Sequence, residues 1–143
     1  MPFAEFPRHP SGHYFLPLVA YGNRPYPRNS ILIPQSFVDT GATKCVVPRT
    51  FNRRTLRLSV VGRDKDVGTA KGKREFDYVV VPLMVIANIS LQDGALVVRE
   101  TRLRVRNVPT WLGADDEDFI VGMSFLRHFD VTMRRSGHII IRK

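Results

Sequence analysis

The stretch IPQSFVDTGATKCVVP, residues 33–48, decides the fold of this chain. Two apolar residues lead into Asp39, Thr40 and Gly41 form a tight turn, and a second apolar run follows. An ionisable group between apolar runs costs free energy unless hydrogen-bond donors or a partner charge receive it. The pattern therefore predicts a carboxylate at the rim of a β-core with backbone amides directed at it. It also indicates that Asp39 has a function that offsets this cost.

A second motif lies near the C-terminus, where Ile120-Val121-Gly122 is followed by Met123-Ser124-Phe125-Leu126. Together with Asp39-Thr40-Gly41-Ala42, this apolar-apolar-Gly element and its short helix resemble the active-site signature of the aspartic proteases, in the single-copy form of the retropepsin-like family. The two motifs together are more specific than the tripeptide alone, which occurs by chance in many chains. The resemblance covers Tyr14 to the C-terminus. It implies a mainly β fold, a retropepsin-like acid-protease barrel with one short C-terminal helix, active as a two-fold dimer.

The resemblance also assigns roles to individual residues. Asp39 is the catalytic residue, while Thr40, Gly41 and Ala42 form the active-site turn and the dimer grip. Gly68 and Gly72 indicate a hairpin tip, at the position where the family has its flap, although an ordinary exposed hairpin fits the same pattern. The implied substrate-binding and flap residues are Lys44, Val46, Thr69, Ala70, Lys71, Gly72 and Val121. We expect Lys44 near a side-chain subsite, where its charge favours acidic or polar substrate residues.

The implied chemistry needs two carboxylates, and this chain offers one in the required context. We therefore expect a homodimer in which two copies meet across a two-fold axis, the commonest oligomeric arrangement. One Asp39 activates a water molecule and the other donates a proton to the scissile carbonyl, without a covalent intermediate. The predicted function is an aspartic endopeptidase whose polypeptide substrate binds extended, as an added strand. No cofactor and no metal are expected.

The viral enzymes of this family commonly carry an aspartate directly after the Gly-Ala pair and an arginine after the second glycine, and these two residues pair at the dimer interface. Here the two positions are Thr43 and Met123. Because both charges are replaced, no unpaired charge remains, but that interface bond cannot form.

The formal net charge of +9 favours acidic partners and polyanions. Arg102, Arg104 and Arg106 alternate with apolar residues and predict a basic stripe on the outside of a strand. Aromatic residues do not interleave with the basic ones as a base-stacking surface requires, so a solvated basic surface is preferred over a nucleic-acid site. Two alternatives stay open: a catalytically idle retropepsin-fold dimerisation or binding module, and a basic β-domain that binds nucleic acid.

The single cysteine excludes an intrachain disulfide, and Cys45 is predicted to be a small buried residue. The acidic run Asp115–Asp118 lacks the spacing and the glycine of a calcium loop and predicts a solvated turn. We see no signal peptide and no apolar run long enough to span a membrane, so the expected location is the cytoplasm.

Proline-rich residues 1–12 show no periodicity and predict a flexible N-terminal arm ahead of a protease domain over residues 13–143. Pro17 predicts an edge position for the strand over residues 14–21. Alternation over residues 56–61 predicts a half-buried strand, followed by a charged loop over residues 62–66. Residues 107–118 are predicted to form a loop that carries Trp111.

Overall fold

The computed structural model describes residues 2–23 and 29–143. These residues form ten strands, in the order β1 Phe3–Pro7, β2 Phe15–Tyr21, β3 Ser30–Val38, β4 Cys45–Pro48, β5 Gly62–Thr69, β6 Gly72–Gln92, β7 Ala95–Gly113, β8 Ile120–Val121, β9 Asp130–Met133 and β10 His138–Arg142. The helical parts are short: α1 covers Arg49–Phe51, a π-helical turn covers Asn52–Leu56, and α2 covers Met123–Leu126. The prediction of a mainly β fold with one short C-terminal helix is confirmed.

Most strands belong to one sheet with the order β2-β3-β8-β4-β7-β6-β5. An additional antiparallel pairing between β2 and β6 closes this sheet into a barrel, which leaves the β5–β6 hairpin projecting from it. Closure satisfies the backbone groups that an open sheet would leave at its edges. A separate sheet of three strands, in the order β1-β10-β9, brings residues 3–7 beside residues 138–142.

The core lies inside the barrel and beneath the three-stranded sheet. It is built from fully buried aliphatic and aromatic side chains, which include Leu16, Leu18, Leu56, Met84, Ile86, Leu103, Phe125, Leu126, Ile139 and Ile141. In β6, residues 79 and 81 face this core before Pro82, whereas residues 84 and 86 face it afterwards. The strand therefore switches faces at Pro82, and the facing strand β7 contains Asn107 with a left-handed φ of 54°. No helix among the described residues is long and apolar enough to cross a membrane.

The predicted flexible arm is in part a strand. Phe3–Pro7 forms β1 and pairs antiparallel with β10, with Phe3 opposite Arg142 and Pro7 opposite His138. Ala4 is buried and joins the core, although no periodic apolar pattern marks the segment. The stabilisation comes from hydrogen bonds to a distant strand, which the local sequence does not reveal.

The predicted edge position of β2 is wrong. This strand pairs with β3 on one side and with β6 on the other. Pro17 is accommodated because the register with β3 shifts between Leu16 and Leu18, so no ladder hydrogen bond is required there.

Three further sequence predictions around the site are corrected. Residues 57–61 are not a strand, because the side chain of Asn52 binds both backbone groups of Leu58 at 3.0 Å and holds this segment in an irregular path. The supposed charged loop 62–66 is the first part of β5. Residues 107–113 belong to β7, so Trp111 lies in a strand paired with Val46 of β4 and Tyr78 of β6.

Candidate active site

The two sequence motifs meet in the barrel through parallel pairing of β3 with β8. Phe37 lies opposite Ile120 and Val38 opposite Val121, so Asp39 leaves the end of β3 beside the end of β8. The backbone N–H of Asp39 donates to the carbonyl oxygen of Val121 at 3.1 Å. The N–H of Gly41 donates to Oδ1 of the Asp39 carboxylate at 2.9 Å. The Asp39 carboxylate therefore accepts a hydrogen bond from a backbone amide, as the sequence pattern of a tight turn predicts.

Gly122 is required by close packing rather than by backbone conformation. Its φ is −106°, which any residue adopts. A Cβ atom at this position would lie 2.8 Å from the Ala42 carbonyl oxygen and closer still to that of Lys44. The next residue, Met123, donates its N–H to the same Ala42 oxygen at 2.8 Å. The backbone of the second motif thus packs against the turn that carries Asp39 and hydrogen-bonds to it.

Ser124 also supports this turn, and its role was not predicted from the sequence. Its side-chain oxygen accepts the N–H of Cys45 at 3.0 Å and donates to the Pro109 carbonyl at 2.7 Å. It therefore ties α2 to β4 and β7. The sequence did carry one signal for this role. Ser124 lies two residues after the motif glycine, in a short helix whose other residues are apolar, so its hydroxyl group needs a hydrogen-bond partner.

A cleft of about 1050 Å³ opens in front of Asp39. Its walls are the turn after Asp39, the β5–β6 hairpin, and the acidic loop that follows β7. The predicted site residues that line it are Asp39, Gly41, Ala42, Lys44, Val46, Thr69, Ala70 and Lys71. The hairpin tip lies between Thr69 and Gly72, so the position of the predicted hairpin is confirmed.

Three predicted site residues do not line the cleft. Thr40 is exposed on the turn, and Gly72 closes the hairpin tip with a φ of 100°. Val121 is 0% exposed and packs in the core, because β8 lies between β3 and β4. Its contact with the site is the backbone carbonyl that accepts the Asp39 N–H, not its side chain.

The partner of Lys44 was also not predicted from the sequence. Its ammonium group forms an ion pair with Oδ2 of Asp64, on β5 of the hairpin. The indole Nε1 of Trp111 donates to the same oxygen at 2.8 Å. Hydrogen bonds from Lys44 and then Trp111 hold the pKa of the Asp64 carboxyl below its usual range. The charge of Lys44 is therefore already compensated within the chain.

The acidic loop is attached to its surroundings at two points. Asp115 accepts the backbone N–H of Thr50 at 3.0 Å, and hydrogen bonding to Thr50 lowers the pKa of its carboxyl. Glu117 forms an ion pair with Arg74 of the hairpin. The predicted solvated turn is thus a loop in which these two carboxylates are engaged.

Charged pairs also brace the base of the hairpin. Arg63 Nε donates to Asp77 at 2.9 Å, and Arg49 lies 3.3 Å from the same carboxylate. The two arginines, Arg63 foremost, lower the pKa of Asp77. On the outer face of β7, Arg102, Arg104 and Arg106 are exposed while Leu103 and Val105 are buried, which confirms the predicted alternation.

Comparison with known proteins agrees with this fold. The profile of the family described as "gag-polyprotein putative aspartyl protease" matches residues 34–128, well over half of the chain. The crystal structure of a retropepsin-like aspartic protease from Rickettsia conorii superimposes with a TM-score of 0.65 at 18% identity, over 97% of this chain and 89% of that one. None of the curated proteins matches the sequence. The chain belongs to the gag-polyprotein aspartyl protease family and has a retropepsin-like fold.

Proposed function

We propose that this protein is an aspartic endopeptidase in which Asp39 is the catalytic residue. The observation that carries the proposal is the position of the Asp39 carboxylate. It accepts the Gly41 N–H at 2.9 Å and lines a cleft that the β5–β6 hairpin covers. A carboxylate that accepts a fixed backbone amide keeps its orientation, which general acid–base chemistry requires.

The active species is a homodimer in this proposal, because one chain supplies one Asp39 in this setting. One Asp39 takes a proton from a water molecule, whose oxygen attacks the scissile carbonyl carbon. The Asp39 of the second copy gives its proton to the carbonyl oxygen. Collapse of the resulting diol returns the carbonyl, breaks the C–N bond and passes a proton to the leaving amine. Thr40 of each turn hydrogen-bonds across the dimer axis and Gly41 offers its carbonyl to the substrate backbone, and the exposure of Thr40 is consistent with this role.

The substrate is an extended peptide that enters between the Asp39 turn and the hairpin. The cleft, at about 1050 Å³, has the size of a ligand site that holds several side chains. Its wall at Val46, Phe76, Trp111 and Ile120 is apolar. We propose that residues 69–72 act as the flap, since they form the free end of the hairpin over this space.

The test is a digest of an unfolded protein mixture across acidic to neutral pH, read by mass spectrometry. The wild type is compared with Asp39→Asn, which removes the ionisable proton and keeps the shape. Asp93→Asn is the matched control, because Asp93 lies in the exposed turn between β6 and β7, away from the cleft. We expect cleavage by the wild type and the control and none by Asp39→Asn. Equal cleavage by all three overturns the proposal, and a wild-type dimer that does not cleave is a catalytically idle module.

A further inference from the structure

Asp64 connects three parts of the candidate site through one oxygen atom. Its Oδ2 receives the ammonium group of Lys44 and, at 2.8 Å, the indole N–H of Trp111. Lys44 lies in the turn that carries Asp39, Asp64 lies in β5 of the hairpin, and Trp111 lies in β7 of the barrel wall. The carboxylate therefore joins the hairpin to both the catalytic turn and the barrel.

Two aromatic rings fix the position of the Lys44 ammonium group. It lies 4.7 Å from the ring centre of Tyr78 and 5.5 Å from that of Trp111, within the range of cation–π attraction. The Tyr78 ring in turn lies across Gly62, where any side chain would overlap it. Lys44 is thus held between Asp64 and two rings and does not extend freely into the cleft.

The contact lies where the hairpin changes direction. The register between β5 and β6 is regular up to Asp64 opposite Phe76, then shifts before Val67 opposite Arg74. Asp66, inside this bulge, has a left-handed φ of 57°. A bulge bends a strand pair and redirects the residues beyond it. Asp64 is therefore the last residue of β5 whose side chain is tied to the Asp39 turn and the barrel before the bulge, and beyond the bulge Arg74 ties the hairpin to Glu117 of the acidic loop.

We propose that Asp64 is a positioning residue, which fastens the β5–β6 hairpin to the Asp39 turn through Lys44 and Trp111 and so sets the height of residues 67–74 above the cleft. This inference rests on the proposed function and adds to it the residue that aligns the hairpin for an extended peptide. Lys44 is then the cation of this contact, which replaces the expectation that it selects acidic substrate residues.

Partial exposure supports a geometric role over a stabilising one. The side chains of Lys44 and Asp64 are 22% and 32% exposed. Ion pairs open to water contribute little to folding free energy, because solvent and salt screen them. Their contribution here is to select one arrangement of the hairpin, since two donors from different elements share one acceptor oxygen.

Peptide-cleavage kinetics of Asp64→Asn provide the first test. Loss of the charge loosens the hairpin without touching the reacting atoms, so we expect KM for an extended peptide to rise by up to about fivefold, the upper limit for an ion pair open to water, while kcat changes little. The matched control is Glu75→Gln. It removes one negative charge from an exposed side chain of the same hairpin and does not line the cleft.

The second readout does not need activity. Trp111 is the only tryptophan of the chain, so its fluorescence reports this contact directly. Asp64→Asn and Lys44→Gln are both expected to change the Trp111 emission and to speed amide exchange over residues 67–74. The double variant should resemble either single variant, because both remove one coupled unit. Glu75→Gln should leave emission and exchange as in the wild type.

The outcomes separate the two proposals. If the wild type cleaves peptides but Asp64→Asn keeps its KM, emission and exchange, Asp64 does not position the hairpin and the inference is overturned. The same conclusion follows if Glu75→Gln reproduces every effect of Asp64→Asn. If no variant cleaves, including the wild type, the proposed function fails, while emission and exchange still decide the role of Asp64.

Discussion

The carbonyl oxygen of Lys44 occupies the space that a side chain on Gly122 would need. The Ala42 carbonyl closes the other side of that space at 2.8 Å from the site of a Cβ atom. Both neighbours are backbone atoms of the turn that follows Asp39, and they cannot move without moving that turn. The glycine of the second motif is therefore a condition for the geometry of the first.

Gly122→Ala should destabilise the protein and misplace Asp39. Overpacking against backbone costs about 1–3 kcal/mol, and we expect the upper part of that range because no flexible side chain can yield. Urea unfolding followed by circular dichroism measures the change. Gly68→Ala is the control, since nothing lies within 4 Å of a Cβ atom there. Equal stability of the two variants would contradict this account of Gly122.

Cys45 should be unreactive in the folded protein. Its side chain is 1% exposed, and burial raises the pKa of its thiol, although the Ser124 hydroxyl and the Gly122 N–H partly offset that effect. The thiolate is the reactive form, so a buried thiol with a raised pKa reacts slowly. We expect no labelling by a thiol reagent at neutral pH in the native state and complete labelling in denaturant. Rapid native labelling would show that β4 opens readily.

The contribution of Asp64 to the free energy of unfolding should depend on pH. Hydrogen bonds from Lys44 and Trp111 depress the folded pKa of Asp64, and the Lys44 ammonium group also lies 4.7 Å from the ring centre of Tyr78. Such a contribution is present above the unfolded value, about 3.9, and is lost as the pH falls through the folded one. Asp64→Asn should therefore be slightly less stable than the wild type near neutral pH, by no more than about 1 kcal/mol because the pair is open to water, and equally stable in strong acid. Urea unfolding at both pH values gives the comparison, and a constant difference would exclude ionisation of Asp64 as its source.

The proposed dimer predicts that specific activity depends on protein concentration. Because each copy supplies one Asp39, the monomer lacks half of the catalytic pair. Sedimentation at several concentrations, measured beside peptide cleavage, should show activity rising with the dimer fraction. Unchanged specific activity far below the dimer dissociation constant would instead require a complete site within one chain.

Local motifs were predictable because their physical cause is local. Asp39 precedes a tight turn, and Gly122 follows two apolar residues, so the family and the fold followed from these stretches. Asp64 was not recognised because its partners lie 20 and 47 residues away, and only the paired strands bring them together. A charged run with glycine at its start also suits an exposed loop, so local composition gave the wrong structure for residues 62–66.

The hydrogen bonding of backbone groups explains the remaining differences between the predicted and the observed strands. Apolar and polar residues alternate over residues 56–61, but the Asn52 side chain provides the hydrogen bonds that a neighbouring strand would otherwise supply. Pro17 lies in a central strand because a register shift removes the need for a backbone N–H at this position, which proline lacks. In both cases a single side chain or bulge overrides a pattern that is reliable on average.

The pairing of β1 with β10 has a consequence for biosynthesis. Phe3 lies opposite Arg142, so β10, which is the partner of β1 among the described strands, becomes available only when residues 138–142 have left the ribosome. During translation the barrel strands emerge first, and the core residues Ile139 and Ile141 arrive after all of them. Contacts between such distant residues form slowly because a long loop must close before they contribute. The nascent chain therefore carries an uncovered core face until β10 has emerged, and this interval is when it most needs protection from aggregation.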